Sequence, residues 1–125
     1  MYKRQNLTKP LIAAVNGVSM GGGFEIALAC DLIVASTNAK FALPEPKVGL
    51  AALAGGMQRL PRQIGMKNAL GMMLTGRHVS AEEGKSFCLL QQIRVFQSAS
   101  CPMHFSYRFV LEVFACLRQV LPNQL

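Results

Sequence analysis

The stretch Met20-Gly-Gly-Gly-Phe-Glu25, continuing as Ile26-Ala-Leu-Ala-Cys-Asp31, decides how this chain is read. Consecutive glycines let a backbone approach a ligand closely, and the Ala, Leu and Glu content that follows favours helix. A helix opening straight after such a loop aims unpaired N–H groups and the positive end of its dipole at whatever sits there. The loop therefore suits negative charge, either a phosphate or a thioester oxygen on which charge builds during a reaction. A lone Gly-Gly-Gly run is more often a turn that only lets helix and strand pack closely. It is neither a dinucleotide fingerprint nor a P-loop, since Gly-x-Gly-x-x-Gly and Gly-Lys-Ser/Thr are both missing.

On either side the chain alternates short apolar runs with helical patterns. Residues 11–15 (LIAAV) lie between Pro10 and Asn16-Gly17 and read as a buried strand ending in a turn. Residues 32–35 (LIVA) are a second such strand and residues 40–43 a short third, after which Pro44 and Pro46 hold the chain extended or turned. Residues 55–64 and 66–75 read as two helices parted near Gly65, residues 77–79 as extended, and Ser80 as the cap of a further helix. The class is α/β.

Two acids stand in defined settings. Glu25 falls in the first helical turn, where the dipole favours a carboxylate whatever its role. Glu45 is locked between two prolines, where an exposed loop carboxylate is the plainer reading. Together, two placed carboxylates can divide acid and base work.

Composition bounds the rest. The 125 residues are 51% hydrophobic, enough for one domain with a core. No apolar run approaches the ~20 residues that span a bilayer, and residues 1–10 are polar and basic with no apolar segment of a signal peptide, so neither membrane insertion nor secretion is expected. The formal charge of +7 is scattered rather than clustered, without interleaved aromatics, which argues against nucleic acid. Cys30, Cys88, Cys101 and Cys116 contain no Cys-x-x-Cys, so a reducing compartment fits best and no metal is expected, although Cys101 and His104 have ligand-like spacing. His78 reads as a surface residue in an extended segment.

From Lys85 the character of the chain shifts, with five of the seven Phe and three of the four Cys beyond it. The expected organisation is a core over residues 1–84 and a divergent segment over 85–125. Phe109, Val113, Leu117 and Val120 recur at helical spacing, which predicts an amphipathic helix over residues 105–121.

The ordered set Lys9-Pro-Leu-Ile-Ala-Ala-Val-Asn-Gly17, Met20 to Asp31, Phe41-Ala-Leu-Pro-Glu45 and Gln58-Arg-Leu-Pro-Arg62 resembles the central part of the crotonase superfamily, the enoyl-CoA hydratase/isomerase family. Thr75-Gly-Arg77 and Ser80-Ala-Glu-Glu-Gly84 are similar to its next strand and helix. The resemblance implies a crotonase-like spiral of ββα turns, here a partial one, assembled in the full-length family as trimers or hexamers. It also implies an acyl-CoA thioester as substrate, an enolate intermediate, and no cofactor, coenzyme A being part of the substrate. By that match Gly22 donates an oxyanion-hole N–H, and Glu25 and Glu45 are the catalytic acid/base pair for adding water to, or removing it from, a 2-enoyl-CoA/3-hydroxyacyl-CoA pair. Met20, Gly21, Pro44 and Val48 fall on substrate-binding positions. Carnitinyl-CoA dehydratase, enoyl-CoA isomerase, or an inactive fragment that only associates with other subunits are the alternatives. The implied location is intracellular: mitochondrial or peroxisomal in a eukaryote, otherwise cytoplasmic.

The sequence also departs from the family. Its other oxyanion-hole N–H and most coenzyme A contacts come from a part preceding the matched stretch, so half a hole is expected here. The usual Gly-x-x-Pro-Gly-x-Gly-Gly loop reads Gly49-Leu-Ala-Ala-Leu-Ala-Gly-Gly56, with Ala52 and Leu53 replacing Pro and Gly, which predicts an altered acyl pocket. Beyond Gly84 the family's next strand is not recognisable, as a shifted frame or an unspliced intron would explain.

Overall fold

The structure, a computed structural model, describes residues 10–94. Two short apolar segments, β1 (Ile12–Val15) and β3 (Leu32–Ser36), pair in parallel with Ile12 opposite Leu32 and Val15 opposite Ala35. Strands buried on both faces read as continuous apolar runs, and these two do. A third strand, β6 (Gln92–Arg94), joins β3 in parallel and puts β3 in the middle of the sheet.

The second sheet grows from the first at corners. After Asn16-Gly17 the chain enters β2 (Val18–Met20), and after Thr37-Asn38 it enters β4 (Lys40–Ala42), which pairs in parallel with β2. β5 (Val79–Ser80) closes that sheet antiparallel to β4. Parallel neighbours need a crossover, and helix α1 (Gly22–Ala29) serves both sheets at once, carrying the chain from β2 back to β3. The repeated unit is strand, corner, strand, helix: the ββα turn of the crotonase-like fold.

Helix α1 is apolar nearly all round, and such helices are buried. Phe24, Ala27 and Leu28 pack inside, and the Phe24 ring meets that of Phe41 from β4 at 5.3 Å between centroids. A 3-10 turn (Glu45–Val48) then leads by a loop to α2 (Gly56–Ile64) and α3 (Met66–Thr75). Leu60, Ile64, Ala69 and Met72 complete the core from these helices. Gln63 Nε2 donates to the Leu28 carbonyl at 3.1 Å, satisfying an oxygen near the end of α1 that the helix leaves free. Helix α4 (Ala81–Ser86) is capped by Ser80, whose Oγ accepts the Glu83 N–H at 3.2 Å. On the surface Arg77 pairs with Glu83 at 2.7 Å, and this hydrogen bond raises the arginine above its usual pKa.

The proline segment takes the turned of its two expected forms, a 3-10 turn with Pro46 in its first positions, where a missing N–H costs nothing. The sequence reading and the structure differ in three places. Strand β2 is not expected from the sequence, because three residues between Gly17 and Gly21 give too short a pattern to show alternation. The glycine run is not all loop, for α1 already includes Gly22 and Gly23. The core also runs past the shift at Lys85: Leu89 and Leu90 are buried, a side chain on Gly84 would sit about 3.4 Å from Leu90, and Gln91 exchanges hydrogen bonds with Ile33 before β6 begins. The helix predicted over residues 105–121, with Cys101 and His104, lies outside the described residues. Among those described, no helix is long and apolar enough to cross a membrane.

Candidate active site

The turn that opens α1 is the first component. Gly21 takes φ 53° and ψ −129°, a conformation that side chains disfavour, and its N–H is held by the Ala42 carbonyl at 3.0 Å. This ties the end of β2 to the end of β4 and sets where α1 begins. Gly22 follows as the first helical residue, exposed, with nothing within 4 Å of the point a Cβ would occupy. Its N–H belongs to the first turn, whose donors have no carbonyl within the helix.

Glu25 lies one turn on and points inward, only 4% exposed. Its Oε1 accepts the backbone N–H of Gly56 at 2.9 Å, so the first residue of α2 holds a carboxylate from the first turn of α1. The contact is close on every side. A Cβ on Gly56 would lie 3.0 Å from Ala52 and 3.1 Å from Glu25 Oε1.

Glu45 reaches the same turn from the other side. Its Oε1 lies 3.0 Å from the Cβ position of Gly21, while its Oε2 is buried and has no hydrogen-bond partner among the described residues. A carboxylate oxygen without a donor in a buried setting is a rare and costly arrangement, and such groups concentrate where a ligand supplies the missing bond. Ser19 Oγ is a second such oxygen among the described residues.

Beside Glu45 opens a cavity of about 280 Å³. Its walls are apolar: Leu43 from the end of β4, Leu50, Ala51 and Ala52 from the loop, and Met57, Leu70, Met73 and Leu74 from α2 and α3. Glu45 is the one charged side chain among the lining residues. Arg59 is turned away, its guanidinium donating to the Ala54 carbonyl at 3.2 Å, and the Lys47 stem lies along Gly76.

The model of the enoyl-CoA hydratase/isomerase family matches residues 2–97. The chain belongs to that family. An (E)-benzylidenesuccinyl-CoA hydratase of Thauera aromatica is 52% identical over 99 residues, covering 79% of this chain and 38% of its own length. A carnitinyl-CoA dehydratase of Escherichia coli K12 is 48% identical over 88 residues, with shares of 70% and 34%. Among solved structures, an enoyl-CoA hydratase from Mycobacterium paratuberculosis superposes with a TM-score of 0.73 at 33% identity, covering 94% of this chain and 49% of that one. An enoyl-CoA hydratase subunit from Geobacillus kaustophilus gives 0.69 at 42% identity, with shares of 92% and 40%. The chain therefore spans less than half the length of these relatives.

Within this enoyl-CoA hydratase/isomerase fold, the positions singled out from sequence are only partly gathered. Gly21, Gly22, Glu25 and Glu45 come together around the opening of α1. Pro44 precedes the 3-10 turn, half-buried, and Met20 ends β2, half-buried and outside the cavity lining. Val48 is 72% exposed and does not line the cavity, because the 3-10 turn rotates it outward. His78 is exposed. Among the described residues, no three His, Cys, Asp or Glu side chains group as metal ligands would. Sequence reasoning missed Gly56 as the partner of Glu25, 31 residues away, and the wall supplied by α3; no local pattern marks either.

Proposed function

We propose that this chain carries the acid/base half of a hydro-lyase site, adding water to a 2-enoyl-CoA thioester or removing it from the 3-hydroxyacyl-CoA. The observation that carries the reading is Glu45 at the edge of an apolar cavity, its Oε1 against the turn that opens α1 and its Oε2 buried without a partner among the described residues. The relatives, hydratases and a dehydratase of coenzyme A thioesters, support the same chemistry run in either direction.

In this reading the thioester oxygen sits at the first turn of α1, where the Gly22 N–H and the helix dipole stabilise the negative charge of the enolate. Glu45 and Glu25 hold the water between them. One carboxylate takes the water proton as its oxygen adds to C3, and the other, protonated, delivers a proton to C2. In the reverse direction the same two groups remove the C2 proton and protonate the leaving hydroxyl. Glu25 is held for this by Gly56, leaving its other oxygen for the water. By the resemblance, a second oxyanion donor in this family comes from a part outside the matched stretch, and removing one such donor lowers turnover about 10²–10³-fold.

Mass-spectrometric detection of ¹⁸O from labelled water in the 3-hydroxyacyl product measures hydration directly. The expected result is incorporation that disappears in both Glu25→Gln and Glu45→Gln. Incorporation that persists undiminished in these variants, or none by the unaltered chain, would sink the proposal.

A further inference from the structure

The Gly56 N–H that holds Glu25 follows a residue free to swivel. Gly55 sits at φ 115° and ψ −2°, a conformation that side chains disfavour, and as a glycine it has many others open to it. Helix α2 also begins at Gly55 without a side-chain cap, and the first N–H groups of a helix have no carbonyl within it. Among the described residues, Arg59 answers both needs.

Arg59 stands one turn along α2, half-buried, and folds back over this junction. Its Nη1 donates to the Ala54 carbonyl at 3.2 Å, and its main-chain N–H donates to the Gly55 carbonyl at 2.9 Å. One residue thereby holds two successive peptide units, and the second of them carries the Gly56 N–H at its other end, 2.9 Å from Glu25 Oε1. A Cβ on Gly55 would lie 1.7 Å from Nη1, so the guanidinium fills the space that a side chain at that position would take. Arginine suits the place because a guanidinium is weakly hydrated and carries its donors in a fixed plane, so half-burial against backbone costs it less than a lysine ammonium.

We propose that Arg59 is a positioning residue of this site: its guanidinium clamps the peptide between Ala54 and Gly55 and so keeps the Gly56 N–H aimed at Glu25. The inference rests on the hydro-lyase reading for the task of Glu25, and on the geometry alone for the clamp.

Amide exchange in the ¹⁵N-labelled chain tests the clamp without any turnover. Arg59→Ala should speed exchange at Gly56 about tenfold while Val34 in β3 and Met72 in α3 stay within about twofold. Arg59→Lys, which keeps the charge and serves if the alanine variant does not fold, should give a smaller rise at the same amide. Arg62→Ala removes the same charge from an exposed position in the last turn of α2 and should leave Gly56 unchanged. Hydration, read by ¹⁸O incorporation, should fall about tenfold in kcat at unchanged KM in Arg59→Ala, since the clamp touches no substrate atom. Guanidinium ion at about 50 mM, too dilute to unfold a small domain, should restore both exchange and rate, where equal sodium chloride does not. Unchanged exchange at Gly56, a rise spread evenly over all amides, or restoration by salt as good as by guanidinium overturns the inference. So does a Gly56 amide that loosens while hydration by an active chain stays undiminished. Where no chain hydrates, exchange alone decides the clamp, and only the proposed reaction falls.

Discussion

Glu25 and Glu45 are positioned by backbone more than by side chains, and two glycines make that positioning testable residue by residue. Gly56 has an ordinary helical backbone, so an added methyl brings no backbone strain, but it lands 3.0 Å from the Ala52 Cβ and 3.1 Å from Glu25 Oε1. Gly56→Ala should cost about 1 kcal/mol by crowding alone while lowering glutamate-dependent hydration about tenfold through a displacement of a few tenths of an ångström. Gly21→Ala differs, because its φ of 53° and ψ of −129° suit only glycine and its new Cβ meets Glu45 Oε1 at 3.0 Å. That variant should lose roughly 1–3 kcal/mol in urea unfolding as well as activity. Equal stability losses in the two variants would contradict the distinction. The glycines and the acids were visible in the sequence, since each residue type announces a local need. The N–H that holds Glu25 was not, because a backbone donor has no sequence signature and its partner lies 31 residues away.

At the scale of elements, capping and periodicity carried the reading well where segments were long. Helix α3 falls on residues 66–75 as the pattern indicated, and Ser80 caps α4 through Glu83. Ser80→Ala should therefore cost about 1 kcal/mol, measured as a shift in the urea midpoint at unchanged slope. Glu83→Ala, which keeps the capped N–H and breaks only the exposed pair with Arg77, should cost distinctly less. Short elements escaped for a physical reason. Strand β2 has three residues and depends on β4 for its ladder, so tertiary pairing rather than propensity makes it a strand. Strand β6 was hidden likewise: Gln91, Gln92 and Arg94 look like surface, yet Gln91 enters the sheet by bonding Ile33 through both its main chain and its side chain.

For the whole molecule, the order β1-β3-β6 places β3 between two parallel neighbours, with Ile33, Val34 and Ala35 buried. Hydrogen exchange should be slowest at these central amides and faster along β6 and β1, where fewer layers must open. Faster exchange in β3 than in β6 would contradict the layered arrangement. The α/β class was legible from alternating apolar runs, but the layering was not, because it lies in pairings between distant segments. It has a consequence for how the site is inherited. Each turn of the spiral rests on its neighbour as a coin rests on the one below, and Glu25 and Glu45 come from two adjacent turns among the described residues, braced by the helix pair that follows. Such stacks are stabilised mainly between adjacent layers. A layer added or altered at the far side therefore leaves untouched the two contacts that fix the carboxylates, Glu25 on the Gly56 N–H and Glu45 against Gly21, so this pair can be handed on intact while its distant surroundings diverge.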